Sequence, residues 1–166
     1  MIEQKCPVES WASIRENGIT GSKSLHANVD FLPGQVICKF EAREILNSPN
    51  YLTVQIGNYQ HILLEPEFLQ YINHSCEPNL FFDISNHTLR AISRIKIGDE
   101  LTFFYPSTEW SMDRKFDCIC QSQNCLGRIQ GAAHLSSDVL TKYQLTPYIK
   151  QHLLTKKINT LEDISQ

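Results

Sequence analysis

The residues best suited to chemistry in this chain stand in two short stretches. Tyr71 to Phe82 reads YINHSCEPNLFF and sets Asn73, His74, Ser75 and Cys76 in a row between aromatic and aliphatic neighbours. Four hydrogen-bonding or ligating groups are costly to bury without partners, so such a row must hold something. Phe116 to Arg128 reads FDCICQSQNCLGR and supplies Cys118, Cys120 and Cys125. Structural zinc takes four thiolate or imidazole ligands in a tetrahedron, so three close cysteines need a fourth. Cys76 is the natural one; His74 is its rival, set aside as facing the other way along an extended segment. Without a metal the thiols read as small buried apolar groups, which is the reading for Cys6 and Cys38.

The elements that must position these groups are mostly short strands. At 166 residues the chain suits one domain with a small appendage. Hydrophobic residues make up 42% and charged residues 20%, the balance of a globular chain. A net charge of −3 lacks the basic footprint of an unspecific nucleic-acid binder, so no direct nucleic-acid partner is expected. No run is apolar enough to cross a bilayer, and the N-terminus has no apolar signal core. Six cysteines without export point to a reduced compartment: the cytoplasm, or the nucleus if the source is eukaryotic.

Asn17 to Ser24 reads as a loop and Pro33-Gly34 as a turn before the strand QVICKF. YLTVQI and HILL flank a hairpin at Gly57-Asn58. Glu65-Pro66-Glu67 opens a short helix through Gln70. NLFF, TLRAI and ELTFFY are three further strands. After Cys125 the pattern changes: Ser136 or Ser137 caps a helix through Tyr143, and Thr146-Pro147 starts another, with Ile149, Leu153 and Leu154 on one side. The last residues, NTLEDISQ, are expected to fray. The class is mainly β with helices at the C-terminal end.

Three blocks now stand in order: NHSCEPN (Asn73 to Asn79), GDELTFFY (Gly98 to Tyr105) and Cys-x-Cys-x4-Cys. Together they resemble the SET-domain protein lysine methyltransferases with a zinc-binding post-SET tail, over roughly Ile14 to Ile129. The resemblance implies a SET domain over 1–115, with a lead-in from 1–13. It further implies a post-SET zinc segment over 116–130 and a helical extension over 131–166. The fold it implies passes the Asn-His-Ser-Cys segment through a loop closed by the later Glu-Leu strand, a knot-like crossing. It implies S-adenosylmethionine as cofactor, held by Asn73 and His74, and one structural zinc on Cys76, Cys118, Cys120 and Cys125. Asn79 is expected to satisfy backbone groups at the crossing.

Methyl transfer to an amine is an in-line displacement that needs alignment and exclusion of water more than acid–base machinery. The resemblance makes Tyr105 the catalytic tyrosine, also touching the cofactor, with Tyr71 and Phe103 lining the lysine channel. Phe103 leaves more room than tyrosine, which predicts di- or trimethylation of a lysine on a histone or other basic protein.

Three departures matter. The cofactor loop of the family carries two glycines where this chain has Ser22 and Ser24, with Lys23 between them as a cation for the methionine carboxylate. Serine cannot enter every conformation open to glycine. Phe104 replaces the usual Asp before the tyrosine, and Gln70 replaces an Arg. They motivate a second reading: a zinc-stabilised interaction module that keeps the fold without turnover.

Overall fold

The structure, a computed structural model, describes residues 4–164. Three small sheets and one hairpin carry the described chain. β1 (Gln4–Glu9), β2 (Ala12–Glu16) and β3 (Lys23–Ala27) form an antiparallel meander. β4 (Val36–Lys39) belongs to the central sheet described below. β5 (Glu41–Leu46), β6 (Val54–Gly57) and β7 (Gln60–Glu65) make a second antiparallel sheet in the order β5-β7-β6. The expected hairpin is therefore present between β6 and β7.

The central sheet adds β8 (Asn73–His74), β9 (Leu80–Asp83), β10 (Thr88–Ala91) and β11 (Thr102–Phe103) to β4, in the order β4-β10-β9-β11-β8. Its inner members show how the segments cross. β11 lies between β9 and β8 and runs parallel to both, pairing Thr102 with Asn73, and Phe103 with His74 and with Leu80. Parallel neighbours cannot be joined by a tight turn. The chain between β8 and β9 is nevertheless short, so the crossing is held by side chains. Asn79 Oδ1 accepts the Thr102 N–H at 2.9 Å, and its Nδ2 donates to the Glu100 carbonyl at 2.8 Å.

The main core forms where the sheets meet. Leu25, Phe40, Phe82, Leu89, Ile95 and Leu101 are buried there, and Phe40 meets Phe82 edge-on at 5.4 Å. Each such side chain stabilises the fold by about 1.5–3 kcal/mol. A second cluster joins Phe104 to Ala132, Leu140, Leu145 and Ile149. It ties the hairpin β12 (Phe116–Asp117) and β13 (Arg128–Ile129), and the helices α1 (Ser137–Leu140) and α2 (Pro147–Ile164), to the end of the central sheet.

Local expectations needed four adjustments. β3 starts at Lys23, because Lys23 and Ser24 already pair with Glu16 and Arg15, so the loop stops at Ser22. ELTFFY yields only the two-residue β11, because Pro106 has no N–H to give a ladder and Tyr105–Ser107 closes into a 3₁₀ turn. α1 is one turn long; Ser136 caps it by accepting from the Val139 N–H. α2 runs on through Ile164 rather than fraying from Asn159, with Ser165 and Gln166 outside the described residues. On α2, Ile149 is buried and Leu153 packs beside it, but Leu154 is exposed.

Candidate active site

The crossing builds one wall of a cavity of about 900 Å³. Ser22, Lys23, Tyr71, Asn73, His74, Phe103 and Tyr105 all line it, so seven of the residues expected to bind cofactor or substrate share one space. Ser24 does not line it. Ser24 Oγ sits 3.0 Å from His26 Nε2, turned along its own strand.

Asn73 is placed by β8. Its Nδ2 donates to the Lys23 carbonyl at 3.1 Å and to Glu100 Oε1 at 3.0 Å, which pins the β3 loop to the crossing. Both amide hydrogens are then engaged, and Oδ1 is the atom available to a ligand. His74 Nδ1 accepts the Tyr105 N–H at 3.2 Å, so the ring proton sits on Nε2. That nitrogen lies 3.3 Å from Cys76 Sγ. The expectation that His74 faces away from the cysteines is therefore corrected: side chains two apart in an extended segment share a side. Burial holds the imidazole neutral, its pKa lowered to about 4. With both ring nitrogens occupied, the backbone of His74 is what remains for a cofactor.

Tyr105 stands two residues past the end of β11 in sequence, after Phe104, and donates its hydroxyl to the Ile72 carbonyl at 3.2 Å. Burial, with the charges of Glu100 and Glu109 adding to it, pushes this phenol upward, so it stays a donor at any ordinary pH. Phe103 packs on it at 4.7 Å between centroids and meets Phe82 at 4.8 Å. His74 and Phe116 stand edge-on to Tyr105 at 5.3 and 5.9 Å, so aromatic faces enclose the hydroxyl. Lys23 Nζ lies 5.1 Å from the centre of the Tyr71 ring, a cation–π contact at the cavity wall.

The two serines of the loop are not strained. Gly21 takes the left-handed backbone at φ +68°, while neither Ser22 nor Ser24 has a positive φ. The conformational reason for glycine at those two positions is thus absent here. The Phe104 departure also has a structural account. Its ring is buried and stacks on Tyr143 from the C-terminal extension, so the position packs rather than hydrogen-bonds.

At the cavity rim the sulfurs of Cys76, Cys118, Cys120 and Cys125 lie within 4.8 Å of one another, and Cys76 and Cys118 are 3.9 Å apart. A tetrahedron with Zn–S bonds of about 2.3 Å sets sulfur separations near ~3.8 Å, so the donor set fits zinc. Burial pushes the Cys76 thiol up, and a cation is what would hold it as thiolate. The Leu126 N–H donates to Cys76 Sγ at 3.3 Å, as ligand sulfurs commonly receive.

Glu100, Glu109 and Phe116 also line this space and were missed in the sequence. Glu109 lines the cavity yet is only 7% exposed. Its Oε1 accepts the Gln55 N–H at 2.8 Å and the Thr108 hydroxyl at 3.0 Å. Burial raises its pKa to about 7, partly offset by those two bonds. The available signal was a lone acid inside the aromatic run FFYPSTEW.

The family described as SET domain matches residues 23–106, half of the chain, and the chain belongs to that family. Over 119 residues it is 44% identical to methyltransferase flvH of Aspergillus flavus, covering 70% of this chain and 66% of that protein. Over 92 residues it is 33% identical to histone-lysine N-methyltransferase mes-4 of Caenorhabditis elegans, covering 46% of this chain and 9% of that protein. The chain thus spans just under two thirds of the first relative and a small part of the second. Among solved structures, KRYPTONITE in complex with mCHH DNA, H3(1–15) peptide and SAH superposes with a TM-score of 0.52 at 23% identity, over 69% of this chain and 28% of that one. That likeness is one of fold. No helix among the described residues is long and apolar enough to cross a membrane.

Proposed function

We propose that the chain transfers methyl groups from S-adenosylmethionine to a lysine side chain of a protein, to the di- or trimethyl state. The observation that carries this reading is the convergence of Asn73, His74 and Tyr105 on one aromatic cavity through the β8–β11 crossing. Bound there, S-adenosylmethionine supplies a carbon made electrophilic by its sulfonium. Asn73 Oδ1, the His74 backbone and the Lys23 ammonium are the groups that would hold it. The Tyr105 hydroxyl, fixed by the Ile72 carbonyl, orients the amine against the methyl group. Phe103, Tyr105 and Phe116 exclude water from the amine and favour its neutral form by desolvation.

Cys76, Cys118, Cys120 and Cys125 would hold one zinc and close the tail over the cavity. A protein substrate is supported by the relatives named histone-lysine N-methyltransferase, and a basic one suits the chain's net charge of −3. The unstrained Ser22 and Ser24 remove the backbone argument for a module without turnover.

Calorimetric titration of zinc-loaded protein with S-adenosylmethionine tests the reading, with Asn73→Ala as the control. Binding that the variant loses supports it. No binding by folded, metallated wild-type protein overturns it in favour of a noncatalytic module.

A further inference from the structure

Glu109 is a carboxylate with no role in the mechanism above. It sits at the start of the chain's path to the zinc hairpin, four residues after Tyr105, and its N–H donates to the Tyr105 carbonyl at 3.0 Å. Its side chain is more than nine-tenths buried but reaches the cavity. Both of its bonds end on Oε1, and among the described residues Oε2 has no partner. This oxygen is not sealed off but keeps access to the cavity, and a carboxylate turned to a ligand space is matched by a cation. Of the cations lining the same cavity, Lys23 lies over Tyr71 and Arg114 over Tyr51 at 4.7 Å. Neither is a partner of Glu109.

We propose that Glu109 receives the substrate's ammonium: Oε2 binds the charged target amine in the cavity and takes its proton before methyl transfer. This rests on the methyltransferase reading. An ammonium has no lone pair, and lysine's unperturbed pKa is about 10.4, so the amine must give up a proton before it can attack. In the step, one N–H bond of the ammonium breaks, its electron pair stays on nitrogen, and the proton passes to Oε2. That pair then forms the N–CH3 bond while the S–CH3 bond breaks with its electrons left on sulfur. The methylated nitrogen carries the positive charge away, and Glu109 returns its proton to solvent before the next round.

The environment suits the task. A carboxylate poised near 7 is a stronger base at neutral pH than an ordinary glutamate. The groups facing it are the Tyr105 and Tyr148 phenols, raised chiefly by burial with its charge adding to the shift, and the neutral Gln55 and Thr108. Glu100, Asp113, Lys23 and Arg114 line the wider cavity.

The test uses n-butylamine as a stand-in for the lysine side chain, with sodium chloride at equal ionic strength as control. The whole 166-residue chain, zinc-loaded, is labelled with 13C at glutamate carboxyls and titrated by NMR between about pH 4 and pH 9. The Glu109 resonance is the one missing from Glu109→Gln, a variant that keeps the Oε1 acceptor. The expected result is a midpoint near 7 that falls when butylamine is added, with affinity for butylamine reduced about tenfold or more in the variant. A resonance indifferent to butylamine, or one that titrates as an ordinary carboxylate, overturns the proposal; so does equal binding by the variant. If the variant fails to fold, the response to butylamine of the wild-type carboxyl that titrates near 7 still decides. S-adenosylmethionine binding is measured on the same samples. Protein that binds cofactor but not butylamine loses this inference alone; protein that binds butylamine but not cofactor loses the enzyme reading, and with it the proton transfer, leaving Glu109 as an amine-binding site only.

Discussion

Phe104 and Tyr143 lie face to face, with ring centroids 3.6 Å apart and planes 5° from parallel. One residue ends the central sheet beside Tyr105; the other belongs to the turn after α1. Tyr143 also donates its hydroxyl to the Cys76 carbonyl at 2.9 Å. The C-terminal segment is therefore fastened both to the tyrosine strand and to a cysteine of the metal cluster.

Removing that clasp should loosen both. Tyr143→Phe loses one hydrogen bond and is expected to cost about 1 kcal/mol. Tyr143→Ala also loses the stacked ring and is expected to cost about 2–3 kcal/mol, below a fully buried aromatic because the side chain is half-buried. Urea denaturation of the two variants gives both numbers.

Metal removal should act locally. Elemental analysis is expected to find one zinc per chain, lost with a strong chelator or in Cys118→Ser. Hydrogen exchange should then rise across β12 and β13, including the Cys118 N–H that bonds the Gly127 carbonyl, while β10 stays protected. Protein without zinc but with unchanged protection over 116–129 would sink the zinc assignment.

Asn79 makes two side-chain hydrogen bonds to the backbone of one crossing segment. Asn79→Ala leaves the Thr102 N–H and the Glu100 carbonyl without those partners, at an expected cost of about 2–4 kcal/mol. Thermal melts check this; a loss below about 0.5 kcal/mol would show that the crossing holds itself.

Glu109 gives a pH signature. Its pKa rises on folding from 4.5 to about 7, so the folded state keeps a proton that the unfolded state releases. Stability from this residue is fully present below pH 4.5 and is lost as pH rises to about 7, by about 3 kcal/mol in total. Glu109→Gln removes that slope. The difference between wild type and variant in denaturation midpoint, followed from about pH 4.5 to about pH 8, checks the sign.

Phe103 is packed between Phe82 and Tyr105 at the cavity. A Phe103→Tyr variant places a hydroxyl in the space that further methyl groups would fill. Mass spectrometry of a methylated substrate should show di- or trimethyl-lysine with the wild type and monomethyl-lysine with the variant. Wild-type product halted at one methyl, with the variant unchanged, refutes the assignment.

The sequence disclosed the site where chemistry and order coincided. Polar groups in an apolar setting drew the eye to Asn73, His74 and the cysteines, but their roles and that of Tyr105 came from the resemblance of the three ordered blocks to the SET family; β10 and the β6–β7 hairpin followed from alternation and a turn. What escaped depended on the third dimension. The shortness of β11 comes from the chain leaving the sheet at Pro106. The placement of Phe104 depends on Tyr143, 39 positions further along the chain. Glu109 was not singled out, because its burial depends on Gln55 and Thr108 packing around it in the fold. The serines of the β3 loop looked like a defect because the adjoining Gly21, which carries the left-handed turn, was not weighed.

The parallel seating of β11 between β8 and β9 has a consequence for how the cavity can open. Residues 73–74 and 102–103 must find each other across nearly thirty positions, with no tight turn to guide them. The cavity wall therefore rests on a long-range pairing, and because β8 is the edge strand of the sheet, peeling it from β11 opens the wall while β4, β10 and β9 stay paired. In a chain built this way the cavity can be lost while most of the core persists, so whatever occupies it acts as a staple on the edge of the sheet.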